Sequence, residues 1–136
     1  MTRTAFVIDR SLPPGLIANT AAILAMSLGR ARPELVGPDV LDGDGLRHPG
    51  ITTVVLPILA ADAEGLRDLR ARAERQEPAG LYLVDVTETA QRAKTYQDYT
   101  ADIADIRRDG LRYLGLGLHG PAALVRSLTG HLPLMR

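Results

Sequence analysis

The chain reads as an α/β protein, a three-layer α/β/α sandwich around a mostly parallel sheet. Four short β-rich runs alternate with four helical segments from end to end, the order that wraps helices over both faces of a parallel sheet. The punctuation agrees, because turn residues fall between the segments at Pro13-Pro14-Gly15, Pro57, Pro78-Ala79-Gly80, Asp109-Gly110 and Gly120-Pro121. With 136 residues, the whole length, 1–136, is expected to form one domain, since halves would be too small for separate cores.

Thr4 to Asp9 is a β-rich run ending in an acid and predicts a buried first strand. Pro13-Pro14 suits the first turn of a helix that continues to about Leu28, with Gly29 and Pro33 stopping it. Leu35 to Gly50, rich in Gly, Pro and Asp, reads as an ordered loop with one short strand. Thr52 to Leu56 predicts a second strand that ends at Pro57. Asp62 to Gln76 is an amphipathic helix with Ala63, Leu66, Leu69 and Ala73 on one face. Leu81 to Val86 is the third strand. Thr87 then caps a long helix to about Arg108, whose apolar side carries Ala93, Tyr96, Tyr99, Ile103 and Ile106. Leu111 to Leu118 is the fourth strand, and Pro121 opens the last helix.

Composition narrows the function. There is no cysteine, which excludes disulfides, thiolate metal sites and cysteine nucleophiles and fits a reducing cytoplasm. Sixteen basic residues balance sixteen acidic ones, so the chain lacks the basic excess that backbone-binding nucleic-acid proteins carry. Fifteen of the basic residues are Arg, and Lys94 is the only lysine. Arg holds its proton, so any lysine chemistry falls to Lys94 or the terminal amine. Leu16 to Leu28 is apolar, but Asn19, Thr20 and Ser27 dilute it, and it is short of the ~20 residues a membrane span needs. We expect an unexported, cytoplasmic chain with a buried helix there.

Gly115-x-Gly117-x-x-Gly120 has the spacing of a dinucleotide fingerprint. That mechanism needs a further βα unit and a carboxylate about 20 residues on. Only 16 residues follow Gly120 and none is acidic, so the glycines are read as points of close strand–helix packing or ligand approach. Asp42-Gly43-Asp44-Gly45 lacks the closing Glu of a calcium loop and reads as a turn, with Arg47 and His48 following it in a loop long enough to hold a site. No two of His48, His119 and His131 stand at metal-ligand spacing. Neither a metal nor a cofactor is expected.

Ligands of open α/β sheets sit at the C-terminal strand ends. Asp9, Asp85 and His119 all occupy such ends in this reading and are the catalytic candidates. Asp9 and Asp85 either act on one another as an acid/base pair, or each pairs with an arginine or caps a helix. Asn19, one turn into an apolar helix, is expected to face the same cleft as Asp9. With Asp44, His48 and Tyr99 it completes the set of ligand-binding candidates. Tyr96 and Tyr99 are read as core-facing, with hydroxyls at the rim.

The stretch Tyr113 to Leu134, with its Gly-x-Gly strand, Gly120-Pro121 helix start and Thr129-Gly130-His131-Leu132 tail, resembles the C-terminus of type II peptidyl-tRNA hydrolases. Ser11-Leu12-Pro13-Pro14-Gly15 with Asn19, Asp42 to Gly45 followed by His48-Pro49-Gly50-Ile51, and Ala90-Gln91 with Tyr96 and Tyr99 resemble the domain-of-unknown-function 2000 family over nearly the whole chain. The resemblance implies a mixed four-stranded sheet of the hydrolase kind, a homodimer, and a structural role for His131. It does not transfer the chemistry. Where the hydrolases carry Gly-Lys-x-Ala-Ala-Gln, this chain has Gly15-Leu16-Ile17-Ala18-Asn19-Thr20, so Leu16 replaces the catalytic lysine and Thr20 the glutamine. About Thr100 stands where they place an aspartate.

Three functions follow as expectations. The first is a module that binds a small molecule in the strand-end cleft. The second is a hydrolase-type enzyme drawing on Asp9, Asn19, Asp85 and His119. The third is a structural or partner-binding protein.

Overall fold

In a computed structural model that describes residues 1–136, β1 (Thr2–Asp9) leads into α1 (Pro14–Ala31), and a small hairpin of β2 (Val40–Leu41) and β3 (Arg47–His48) precedes β4 (Ile58–Ala61). Then come α2 (Ala63–Glu74), β5 (Tyr82–Thr87), α3 (Glu88–Arg92), α4 (Tyr96–Ala104), β6 (Tyr113–Pro121) and α5 (Ala122–Thr129). The main sheet has the order β4-β1-β6-β5.

That sheet is mixed, and the expectation of a mostly parallel one is corrected. β1 and β4 run parallel, Phe6 beside Ile58 and Asp9 beside Ala61. β6 runs antiparallel to both its neighbours. A parallel β5–β6 pair would need a helix crossing back over the sheet. Instead β5 ends at Thr87 and β6 begins opposite it at Tyr113, so α3 and α4 form an excursion at one edge.

Helices cover both faces. Leu24 and Leu28 of α1 pack on Phe6, Ile8 and Val86. Leu66 and Leu69 of α2 and Val125 and Leu128 of α5 pack on Val7, Leu116 and Leu118. Residues 113–120 of the central strand β6 are all buried. Its glycines leave room for their neighbours: a Cβ on Gly115 would lie 2.6 Å from Thr20 Cγ2 of α1, and one on Gly117 would lie 2.9 Å from Val84 Cγ1 of the adjoining strand β5. The fingerprint-like spacing is thus a packing device.

Two more elements differ from expectation. The second sheet strand of the first half is Ile58–Ala61, after Pro57, not Thr52–Leu56, which makes only one isolated bridge, Val36 with Thr52. Pro57 has no N–H to give, but its carbonyl accepts from Phe6 N at 3.0 Å, so it starts the pairing. The predicted long helix breaks at Ala93–Thr95, where Thr95 supplies a second N-cap and accepts from Asp98 N. Neither α3 nor α4 buries a residue, and Tyr96 is 80% exposed, so that side is not a core face. The cap at Thr87 is as expected, accepting from Ala90 N at 3.3 Å.

The C-terminal tail runs along the outer side of β4, with Met135 N on Ile58 O and Ala60 N on Pro133 O. β5 remains as the sheet's uncovered edge. No helix is long and apolar enough to cross a membrane.

Candidate functional site

The direction of β6 scatters the catalytic candidates. Asp9 lies at the C-terminal end of β1, while His119 pairs with Thr4 near that strand's start. Five residues separate the two positions, roughly 16 Å along a strand. His119 is buried, and its Nδ1 shares a 2.8 Å hydrogen bond with the Thr4 hydroxyl. Burial, and then the Arg32 charge, push its pKa below the ordinary histidine value against a smaller opposing pull from Glu34.

Asp9 is 1% exposed, yet it is held as a carboxylate. Burial pushes its pKa up, but hydrogen bonds from the Ser11 hydroxyl and N–H, and the Arg112 guanidinium, outweigh burial and bring it below the usual value. Oδ1 accepts from Ser11 N at 2.8 Å and Ser11 Oγ at 2.7 Å, and Oδ2 from Arg112 at 3.2 Å. Arg112 also reaches Glu88 at 3.4 Å, and Glu88 pairs with Arg92. Asp85 points elsewhere: its Oδ2 accepts from Arg70 Nε of α2 at 3.1 Å. Each carboxylate therefore has its own arginine, and the two do not form a pair. Arg112 and Arg70 carried no distinguishing mark in the sequence.

The better-formed feature runs along β5. A groove of about 470 Å³ is floored by Val84, Asp85 and Val86. Successive strand residues face opposite ways. A groove touching all three must therefore follow the strand's edge, where outward backbone groups have no strand beside them. Ile23 and Ser27 of α1 form one wall. Ala93, Lys94 and Tyr99 at the α3–α4 corner stand on the other. Seven of its eleven lining residues are apolar, with Asp85, Lys94, Ser27 and Thr95 interspersed. Tyr99 is half-buried, and its ring meets Tyr96 edge-on at 5.5 Å. Burial, then the Asp85 charge, raises the Tyr99 pKa and keeps its hydroxyl protonated.

Asn19 is exposed. It precedes Ile23 and Ser27 at i, i+4, i+8 spacing, so it extends their stripe toward the Asp9 edge. Asp44 and His48 lie outside this region, on the exposed β2–β3 hairpin. There Asp42 organises the turn, taking Asp44 N at 2.9 Å, Leu46 N at 3.0 Å and His48 Nε2 at 2.9 Å. Gly45, at φ +82°, takes the left-handed step the turn needs. His131 is exposed just before the tail. No cluster of three or more His, Cys, Asp or Glu side chains is placed to hold a metal ion.

The sequence profile described as "Protein of unknown function (DUF2000)" matches residues 2–136. Among solved structures, a protein of unknown function from Agrobacterium tumefaciens strain C58 superposes with a TM-score of 0.90 at 18% identity, covering 99% of this chain and 98% of that one. At that identity the likeness speaks for the fold. No curated protein matches by sequence.

Proposed function

The chain belongs to the DUF2000 family, and from that footing we propose that it is a small-molecule binding domain whose ligand lies in the groove along β5. The observation that carries the reading is the lining itself: apolar walls with a few convergent polar groups are what small-ligand sites are made of. The ligand class that fits has a flat or aliphatic body against Ile23 and Tyr99, and a polar end within reach of Lys94 and Asp85. This moves the ligand from the strand-end cleft to the adjoining strand edge.

A hydrolase built on Asp9, Asn19, Asp85 and His119 has less support. Asp9 is neutralised by Arg112, Asp85 by Arg70, and His119 sits at the far edge. The scaffold's likeness to type II peptidyl-tRNA hydrolases stays in this reading as a likeness of architecture, with Leu16 in place of the lysine. One domain, a homodimer and a cytoplasmic setting also belong to the proposal. The exposed apolar residues Leu41, Leu46, Ile51 and Val55 around the hairpin are the natural surface for a second copy, and sizing by light scattering tests that.

The deciding experiment is a thermal-shift screen of small metabolites on wild type, Lys94→Ala and Ile23→Arg. A ligand at 100 times its Kd stabilises by about 2.7 kcal/mol, or roughly 8 °C for a domain of this size. Shifts seen in wild type and lost in both variants bear the reading out. Hits that ignore both variants refute it.

A further inference from the structure

We infer that a second groove, on the α2 side of the sheet, is a binding site for a small organic phosphate. It is about 580 Å³, lies between α2 and the turn at Arg108–Gly110, and shares no lining residue with the β5 groove. Four arginines line it, Arg67, Arg70, Arg107 and Arg108, against two carboxylates, Glu74 and Asp109. Asp85, just outside the lining, pairs with Arg70, so three carboxylates stand against the four guanidinium groups and one positive charge is left over.

Two of these guanidinium groups are fixed in advance. Arg67 donates to the backbone carbonyls of Asp109 at 2.7 Å and Leu111 at 3.0 Å. Those acceptors are neutral, so its position is set while its charge stays uncancelled. Arg70 is held by Asp85 at 3.1 Å and Glu74 at 3.7 Å, with its guanidinium 5.9 Å from the Tyr113 ring centre. Glu74 is shared, since Arg108 also leans on it at 3.1 Å. Arg107 has no acidic partner within 4 Å.

Pre-set arginine forks match phosphate oxygens in geometry, and binding loses less entropy when side chains are already immobile. A phosphate ester offers three strong acceptor oxygens to Arg67, Arg107 and Arg108, whereas a carboxylate offers two. The cavity is also larger than a bare phosphate fills. The Tyr113 ring and Ala71 offer the apolar wall on which an organic group would rest.

The test is calorimetric titration, at low salt, of phenyl phosphate and of benzoate into wild type, the Arg107→Ala/Arg108→Ala double variant, Arg107→Glu and Lys94→Ala. Phenyl phosphate is expected to bind saturably and at least tenfold tighter than benzoate. The double variant and Arg107→Glu are each expected to lose at least tenfold. Lys94→Ala, in the other groove, is expected to bind as wild type does. Arg107 makes no ion pair in the fold, so Arg107→Glu reads the site even if the double variant folds poorly. No saturable binding, equal affinity for the two anions, affinity unmoved by Arg107→Glu, or an equal loss in Lys94→Ala would each overturn the assignment. Because Lys94 belongs to the β5 groove alone, failure here leaves the earlier proposal standing, and failure there leaves this one.

Discussion

Asp9 and Arg112, 103 residues apart in the chain, meet at 3.2 Å and tie the end of β1 to the residue that leads into β6. The contact spans the join of the two central strands. Together with the two hydrogen bonds from Ser11, which weigh more, it explains how a carboxylate with 1% of its surface exposed can stay ionised.

Breaking that pair is expected to destabilise the fold. Stranding a fully buried charge costs about 3–5 kcal/mol. Water can reach the Arg112 side, which is 46% exposed, so Arg112→Ala should cost less, about 1–2 kcal/mol. Asp9→Ala should cost more, since Ser11 and Arg112 both lose their acceptor. Urea denaturation of the two variants gives the order directly.

The same pair sets an acid limit. The folded pKa of Asp9 lies below its ordinary 3.8, so its contribution is present above that value and fades as pH falls through the folded one. Wild-type stability should therefore drop below about pH 4 in part because of Asp9, with a shallower drop in Asp9→Asn. Equal slopes in pH-dependent unfolding would show that the ion pair is not what acid attacks.

His119 predicts an earlier and separate loss. Its folded pKa is lowered below 6.5, so the unfolded chain takes up a proton first as pH falls. Stability is full above about 6.5 and declines below it until the folded group also titrates. NMR titration of the His119 ring should find it protonating below the ordinary histidine value. His119→Gln should flatten the stability slope between pH 6.5 and the folded pKa.

How much of this was legible varies residue by residue. Thr4–Asp9 and the Leu66, Leu69, Ala73 stripe could be read because their pattern is local. Local pattern favours Thr52 to Val55 as the second strand, because it is richer in β-branched residues than Ile58–Ala61, while pairing with β1 decides the matter. The direction of β6 was hidden for a related reason: the 25 residues between Thr87 and Tyr113 have the length of a crossover and contain no Pro or Gly near the break at Ala93–Thr95. A parallel β6 would put His119 beside Asp9, whereas the antiparallel strand puts it at the opposite end of the sheet. Asp9 could be picked out by position, but Arg112 could not, because nothing local marks a partner so far along the chain.

Gly115 offers a sharper packing test. An alanine there would bring its methyl to 2.6 Å from Thr20 Cγ2, 3.2 Å from Leu24 Cδ1 and 3.3 Å from the Val7 carbonyl. Overpacking of this kind costs about 1–3 kcal/mol. Thr20→Ser deletes the nearest methyl, so the double variant should recover part of the loss, and a double-mutant cycle measures the coupling. Additive effects would mean that α1 shifts as a whole, leaving Thr20 with no special part.

The α3–α4 excursion should be the least protected helical segment. It carries the Tyr99 wall of the β5 groove, yet neither helix buries a residue, and its ties to the rest include the Glu88–Arg112 contact at 3.4 Å and the Glu88 N–Arg112 O hydrogen bond at 2.9 Å. Segments with few buried contacts open at free energies well below global unfolding. Hydrogen exchange should therefore release the amides of residues 96–104 far sooner than those of 113–120, which lie wholly inside. A ligand seated against Tyr99 and Lys94 would have to order this wall, so protection of 96–104 should rise on binding while that of β6 stays level. If α4 is already as protected as the central strand, the groove is rigid, and its affinity must come from the lining alone.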